Sequence, residues 1–290
     1  MERLISPKKT KEIVRKYGFK FSKSLGQNFL IDENILNKII DGAEVTKEDL
    51  VMEIGPGIGT LTQALADQAK KVVAVEIDKS LLPILAETLR ESKNVTVVNA
   101  DVLKLDLHQL IQKEFEGAPV KVIANLPYYV TTPIIMKFLE DRVPLKNMVV
   151  MIQKEVADRM QAKPGTKDYG ALSVAVQYYC EPQIITRVPS SVFIPQPNVE
   201  STVIRLTLLG EPRVKVKNEE VLFQVVRASF GKRRKTLLNA LSSSELGVTK
   251  EQVKTALAAA QIEENRRGET LTIKEFGILA DAIAEVKSIS

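Results

Sequence analysis

Glu53-Ile54-Gly55-Pro56-Gly57-Ile58-Gly59-Thr60 closes one apolar run, 50–54, and opens a stretch of helical periodicity, 60–68. Glycines at a strand-to-helix turn let the backbone approach a ligand, and the first helical turn offers N–H groups without partners. Moving outward, Val- and Ile-rich runs at 72–76, 95–98, 120–124 and 148–152 alternate with helical patterns at 80–92, 105–115 and 132–141. Such alternation predicts right-handed crossovers and an α/β fold with a doubly wound, mostly parallel, Rossmann-like sheet. A further strand over 202–208, after a proline-rich loop, is placed to close the sheet edge. After Gly210 the texture changes: 219–229, 234–242, 250–261 and 272–286 read as helices with no strand among them. The loop at Leu209-Gly210-Glu211-Pro212 therefore divides the chain into an α/β domain, 1–209, and a smaller all-α domain, 210–290.

Composition narrows the chemistry. The chain is 44% hydrophobic, enough for a full core and against wholesale disorder. It holds no uninterrupted apolar run of about 18 residues, the length a membrane helix needs. Glu2, Arg3, Lys8 and Lys9 stand where a signal peptide would be apolar, so a cytoplasmic protein is expected. Cys180 is the only cysteine and His108 the only histidine. A disulfide, a cysteine-based metal cluster, a zinc site and a histidine-centred triad are thereby disfavoured, and no metal is expected. Cys180 sits in an apolar-aromatic stretch and is expected to be buried and inert, whereas His108 is expected at a surface or helix end.

The net charge of +5 is unevenly placed. Residues 1–30 carry Arg3, Lys8, Lys9, Lys11, Arg15, Lys16, Lys20 and Lys23 against Glu2 and Glu12, so the other 260 residues sum to −1. A second cluster, Arg227 then Lys232, Arg233, Arg234 and Lys235, contains no acid. Two basic regions on a near-neutral background point to a polyanionic partner. Tyr17, Phe19, Phe21 and Phe230 lie among these cations as candidates for stacking on bases.

The glycine loop has a recognisable ligand. Glu76 ends the second strand, 21 residues after Gly55, where an acid can accept from both ribose hydroxyls. Asp101, in Asn99-Ala100-Asp101, follows the third strand and is placed to accept from an adenine amine. In the dinucleotide fingerprint the third glycine comes three residues after the second; here Gly59 follows Gly57 by two, and Glu53 precedes the loop. An acid there disfavours a pyrophosphate and suits a sulfonium cation, so the loop favours S-adenosylmethionine over NAD.

Asn125-Leu126-Pro127-Tyr128 follows the fourth strand. An adenine amine is a poor nucleophile because its lone pair is delocalised into the ring. The Asn125 side-chain oxygen and the Leu126 carbonyl can accept both amine hydrogens and so localise that lone pair for in-line attack on a methyl group. Pro127 fixes the backbone, and Tyr128 can stack on the base. Downstream, Phe193-Ile194-Pro195-Gln196-Pro197-Asn198 is a rigid loop able to present Phe193 as the opposite stacking face.

Together these motifs resemble the ribosomal RNA adenine N6,N6-dimethyltransferase family. The resemblance runs from Lys23-Ser24-Leu25-Gly26-Gln27-Asn28-Phe29-Leu30 through the glycine loop, Glu76, Asp101, Asn125–Tyr128 and Asp168–Ser173. It continues over Phe193–Ser201 to Arg266-Arg267-Gly268-Glu269. It implies a class I methyltransferase domain in which Asn28, Leu30, Gly55, Glu76, Asp101 and Asn125 contact S-adenosylmethionine. It also implies that Tyr128 and Phe193 sandwich the target base. The implied reaction is dimethylation of two adjacent adenosines in a hairpin loop near the 3′ end of 16S rRNA, within the 30S subunit. Bases in such a loop can splay out into a pocket. The N-terminal arm and the Arg227–Lys235 cluster would grip RNA backbone.

Rival readings remain at this point. The enzymes that methylate one adenine of 23S rRNA and confer antibiotic resistance share the catalytic motifs. A DNA adenine methyltransferase more often carries Pro-Pro-Tyr, which Leu126 argues against. A ribosome-assembly factor acting mainly by binding is the non-catalytic alternative. A monomer is the default expectation.

Overall fold

The computed structural model describes residues 4–22, 25–232 and 234–288. Along the first half of the chain run α1 (Pro7–Lys16), β1 (Phe29–Leu30), α2 (Glu33–Ala43), β2 (Leu50–Ile54), α3 (Thr60–Ala66), β3 (Lys71–Glu76), α4 (Leu82–Thr88), β4 (Val95–Asn99), α5 (Leu107–Phe115) and β5 (Val120–Asn125). Then come α6 (Thr131–Glu140), β6 (Leu145–Gln153), α7 (Lys154–Gln161), α8 (Ala171–Tyr179), β7 (Cys180–Val188), β8 (Phe193–Ile194) and β9 (Ser201–Leu208). Four helices follow, α9 (Glu219–Gly231), α10 (Leu237–Ser242), α11 (Lys250–Ala259) and α12 (Ile273–Ser288).

Seven strands share one sheet in the order β4-β3-β2-β5-β6-β9-β7. Strands β2 to β6 pair in parallel, and β9 runs antiparallel to β6. The expected doubly wound sheet with a helical tail is what forms. Successive strands step outward from β2 to β4, and the chain then returns to place β5 on the other side of β2. In such sheets a crevice opens at the carboxyl ends of the strands beside this switch. The register puts the same rung at the top of three strands: Ile54 lies opposite Val75 and Ala124, so Gly55, Glu76 and Asn125 emerge side by side. Outside this sheet, β1 and β8 form a short antiparallel pair, with Leu30 opposite Phe193.

The chain forms two compact units, Met1–Ala157 with Gln183–Leu208, and Asp158–Pro182 with Leu209–Ser290. The sequence reading divides the chain at 209/210, whereas the second unit takes up the chain from Leu209 and also includes Asp158–Pro182. That segment reads poorly in isolation because α8 is apolar on most sides: Leu172, Val174, Val176, Tyr178 and Tyr179 are all buried.

In the first unit, β2, β3, β5 and β6 are covered on both faces, which is why their sequences are nearly continuous apolar runs. Val51, Val72, Ile123, Val149 and Val203 pack with Ile39 of α2 and Leu65 of α3. A second cluster joins Ile13 of α1 and Phe19 to Phe29, Ile58, Ile84 and Leu85. Each such side chain, fully buried, contributes about 1.5–3 kcal/mol. The N-terminal arm is therefore a packed helix. Ser6 caps it by accepting from Lys9 N, and Pro7 occupies its first turn, where a missing N–H costs nothing.

In the second unit, α9, α11 and α12 pack around Leu222, Val225, Leu257 and Phe276, all buried. Phe230 lies 5.8 Å from both Tyr169 and Phe276, centroid to centroid. It is a packing residue and not the base platform that its basic neighbours implied. The same correction applies near the start of the chain. Phe19, Phe21 and Phe29 form an aromatic cluster, and the Tyr17 hydroxyl donates to Glu87 Oε2 at 2.5 Å. Cys180 is buried, and that burial pushes its thiol up to about 12. His108, on α5, is exposed and bonds through Nε2 to the Asp141 carbonyl at 2.7 Å.

Candidate functional site

A cavity opens where the register predicts it. Its walls include Asn28, Leu30, Glu53, Gly55, Gly57, Glu76, Ile77, Asp101, Asn125, Leu126, Tyr128 and Tyr129. The structure thus brings together every cofactor-binding residue expected from sequence, and all but one of the residues expected at the target base.

The glycine loop shows why its residues are small. Gly55 has φ +71°, and a Cβ there would meet nothing within 4 Å, so its backbone borders open space at the ligand side. Gly57 has φ +60°, and a Cβ there would come within 3.1 Å of the Phe29 ring. One glycine leaves room for a ligand, the other for the front segment of the chain.

Two acids stand below the loop. Glu76 is 4% exposed; its Oε1 accepts from Asp78 N at 2.7 Å and its Oε2 from Gly57 N at 3.3 Å. Burial pushes its carboxyl up to about 7, against the opposing pull of those backbone N–H groups. Each oxygen retains a second lone pair for a ligand hydroxyl. Glu53 is 1% exposed, and its Oε2 has no hydrogen-bond partner. Burial pushes Glu53 up to about 8, with the nearby Thr62 hydroxyl opposing the shift and the Glu76 charge adding to it. A buried carboxylate oxygen without a partner is costly alone and welcomes a cation. Asp101 accepts from Leu103 N at 3.0 Å through Oδ1 and lies 3.9 Å from Lys104 Nζ through Oδ2.

The Asn125 side-chain nitrogen donates to the Asn28 carbonyl at 2.9 Å, which turns its oxygen the other way. Leu126 N donates to Met151 O at 3.1 Å and holds the turn onto β6. The bonds that build the next turn, from Val130 N and Thr131 Oγ1, both end on the Pro127 carbonyl and leave that of Leu126 aside. The Tyr128 hydroxyl lies 2.7 Å from Ser201 Oγ, which ties Tyr128 to the start of β9.

Phe193 is the residue that the fold does not bring to the cavity wall. It is 3% exposed and packs in the core with Leu30, Ile35 and Val203. Its pairing with Leu30 turns the side chain inward, a consequence of β1–β8 register that no local pattern announces. Among the wall residues that the sequence reading did not assign to the site are Ile77, Gln27 and Tyr129. Ile77 is 49% exposed and Tyr129 57% exposed, both unusual for large apolar side chains lining a cleft. Gln27 Nε2 donates to Asp78 Oδ2 at 2.6 Å and ties the front segment to the loop after β3. A signal was available for Ile77, an apolar residue directly after the strand-ending acid.

In the second unit, Arg227 on α9 and Lys232, Arg234 and Lys235 in the turn before α10 are all exposed. Lys232 Nζ reaches Ser243 Oγ at 3.2 Å. Lys232, Arg234 and Lys235 stand in a turn and not at the start of a helix, because α10 begins only at Leu237. Arg233, Arg3, Lys23 and Ser24 lie outside the described residues. Among the described residues no group of acids, histidines or cysteine could hold a metal ion, and no helix is long and apolar enough to cross a membrane.

Residues 18–284 match the model of the family described as ribosomal RNA adenine dimethylase. The chain is 66% identical over 285 residues to "Ribosomal RNA small subunit methyltransferase A" of Alkaliphilus oremlandii, covering 98% of this chain and 99% of that one. It is 57% identical over 284 residues to the protein of that name from Clostridioides difficile, covering 98% of each. Among solved structures, it resembles a dimethyladenosine transferase from Plasmodium falciparum, with a TM-score of 0.71 and 26% identity over 87% of this chain and 95% of that one. It also resembles the 23S rRNA methyltransferase ErmE, with a TM-score of 0.66 and 27% identity over 89% of this chain and all of that one.

Proposed function

We propose, for a chain that belongs to the ribosomal RNA adenine dimethylase family, that it dimethylates N6 of two adjacent adenosines in a hairpin loop near the 3′ end of 16S rRNA. The substrate is that RNA within the 30S subunit, and the methyl donor is S-adenosylmethionine. The protein acts as a monomer in the cytoplasm, where small subunits are built.

Three features of the cavity fit the donor: open space above Gly55, the unpartnered Glu53 Oε2, and exposed Ile77 beside Glu76. When bound, S-adenosylmethionine supplies an electrophilic methyl group carried on a sulfonium. Glu76 accepts from its ribose hydroxyls, Asp101 from its adenine amine, and Ile77 covers the face of that ring. Glu53 balances the cationic end, while Asn28, Leu30 and the Gly55 backbone line its path.

The observation that carries the reaction is the Asn125–Asn28 bond. Its amide nitrogen is held by a carbonyl, so the Asn125 oxygen is fixed as an acceptor in the cavity. That oxygen and the Leu126 carbonyl would accept hydrogen bonds from the two N6–H groups of the target adenine and so localise its lone pair; the bound donor would supply the methyl group, its sulfur–methyl bond breaking as the nitrogen–methyl bond forms, and the amine proton would leave to water. A preorganised polar contact of this kind does not need to reorganise as charge develops. Tyr128, tethered to Ser201, stacks on the base. Phe193 backs this wall from the core through its pairing with Leu30. Arg227, Lys232, Arg233, Arg234 and Lys235 grip RNA backbone.

The small subunit is favoured over the 23S-type reaction by the relatives. Identity is 66% to a protein named for the small subunit and 27% to ErmE, although both cover nearly the whole chain. The test is methyl transfer from labelled S-adenosylmethionine to small subunits lacking the modification, to mature small subunits and to large subunits. Incorporation is expected only into the first, with dimethyladenosine as the end product by mass spectrometry. Labelling of large subunits, or monomethyladenosine alone under excess donor, would overturn the reading.

A further inference from the structure

Tyr129 is not used by the chemistry above, and its setting is unusual. It directly follows Tyr128 on the turn between β5 and α6, and both rings line the cavity. The two are held very differently. Tyr128 is drawn inward by its hydroxyl bond to Ser201. Tyr129 stands at the rim and is 57% exposed, the largest exposure of any bulky apolar side chain among the described residues. One ring edge rests on Gly26: a Cβ built there would lie 3.5 and 3.6 Å from Tyr129 Cδ1 and Cε1. Gly26 is itself tied to the site, because its carbonyl accepts from Asn28 Nδ2 at 3.1 Å. Among the described residues no other aromatic ring stacks on Tyr129. A ring braced at one edge, with its face open to solvent beside a cleft, is built to be covered by something planar.

RNA supplies such a surface. Drawing one base out of a single strand exposes the face of its neighbour, and that loss of stacking opposes entry into the pocket. Consecutive α-carbons are only about 3.8 Å apart across a trans peptide, so two rings on adjacent residues are within reach of two bases on adjacent nucleotides.

We propose that Tyr129 is a second base platform, which stacks the nucleobase adjoining the target adenine while Tyr128 holds the target itself. The proposal rests on the reading that an adenine of single-stranded RNA enters the pocket. Tyr129 is a positioning residue in this scheme: it stabilises the splayed RNA and touches no reacting atom. Its effect falls on capture of RNA and not on the methyl-transfer step, and it needs an aromatic face and not a hydroxyl.

The experiment uses the full chain with small subunits reconstituted from unmodified RNA, either intact or with abasic nucleotides flanking the target adenine. On intact subunits Tyr129→Ala is expected to raise KM for the subunit about tenfold, the scale of one stacked base. In the same assay kcat should change less than twofold, and the Kd for S-adenosylmethionine should not change. Tyr129→Phe should match the wild type, and Tyr129→Leu should behave as the alanine variant. On the abasic substrate all four proteins should show the same raised KM. Four results would overturn the proposal: an unchanged KM for Tyr129→Ala, a tenfold penalty that persists on the abasic substrate, full function of Tyr129→Leu, or a loss of donor affinity marking Tyr129 as a lid over the cofactor. The wild-type arm separates this from the underlying reading. No methyl transfer by wild type to intact subunits would refute the proposed function, whereas normal wild-type transfer with an indifferent Tyr129 refutes only the platform.

Discussion

The side-chain amide of Asn125 donates to the backbone carbonyl of Asn28, 2.9 Å away and 97 residues earlier in the chain. One bond thereby joins the front segment, on the wall of the proposed donor cavity, to the residue proposed to present the target amine. The bond couples the position of Asn28 to the orientation of the Asn125 side-chain oxygen.

Asn125→Ala removes one acceptor for the N6 hydrogens and should lower kcat at least about a hundredfold, the scale of losing one preorganised contact in a transition state. Asn125→Asp keeps an oxygen but sets it against the Asn28 carbonyl, and should be nearly as damaging. Single-turnover methyl transfer measures both; full activity of Asn125→Ala would remove the proposed chemistry.

Glu76→Ala should weaken S-adenosylmethionine binding by roughly 1.5–3 kcal/mol, the value of losing hydrogen bonds to a charged acceptor. The loss has two parts, because the carboxylate also holds the backbone N–H groups of Gly57 and Asp78. Glu76→Gln, which keeps one acceptor oxygen, should fall between the two. Calorimetric titration checks this, and an unchanged Kd for the alanine variant would end the assignment.

The buried acids make stability depend on pH in a definite direction. Burial raises Glu53 to about 8 and Glu76 to about 7, from an ordinary value of 4.5. Across that window the folded protein holds more protons than the unfolded chain, so stability falls as pH rises. The contribution is complete below pH 4.5 and lost by about pH 8. Tm of the donor-free protein should therefore drop between those limits, and Glu53→Gln, a neutral isostere, should show a shallower drop. Donor binding should release protons over the same range, since a cation favours the ionised carboxylates. A Glu53→Gln profile parallel to the wild type would contradict the assignment.

Replacing Arg227, Arg234 and Lys235 by Ala should weaken binding to small subunits and flatten its log–log salt dependence by roughly 2 units. Donor affinity should be untouched, since none of the three lines the donor cavity. Filter binding over a salt series reads the slope; an unaltered slope would make the cluster a solvated surface.

Much of this protein is legible along the chain, for a physical reason. Strand and helix periods, strand-ending glycines and the spacing of Glu76 and Asp101 are short-range features, each read within one βα unit. They suffice for the sheet, its switch point and several residues that line the cavity. Asn125, Leu126 and Tyr128 are legible too, because a turn after a parallel strand must emerge at the ligand edge. What the chain could not announce depends on partners far apart in sequence. Register between β1 and β8 buries Phe193, ring contacts with Tyr169 and Phe276 hold the half-buried Phe230 against its own unit, and Asp158–Pro182 joins helices that begin only after Leu208. Tyr129 shows the converse: an aromatic in an apolar setting is expected to be buried, and only the tertiary structure leaves its face open. Local pattern decides which element forms and where it ends, whereas burial depends on which surfaces of other elements arrive to cover it.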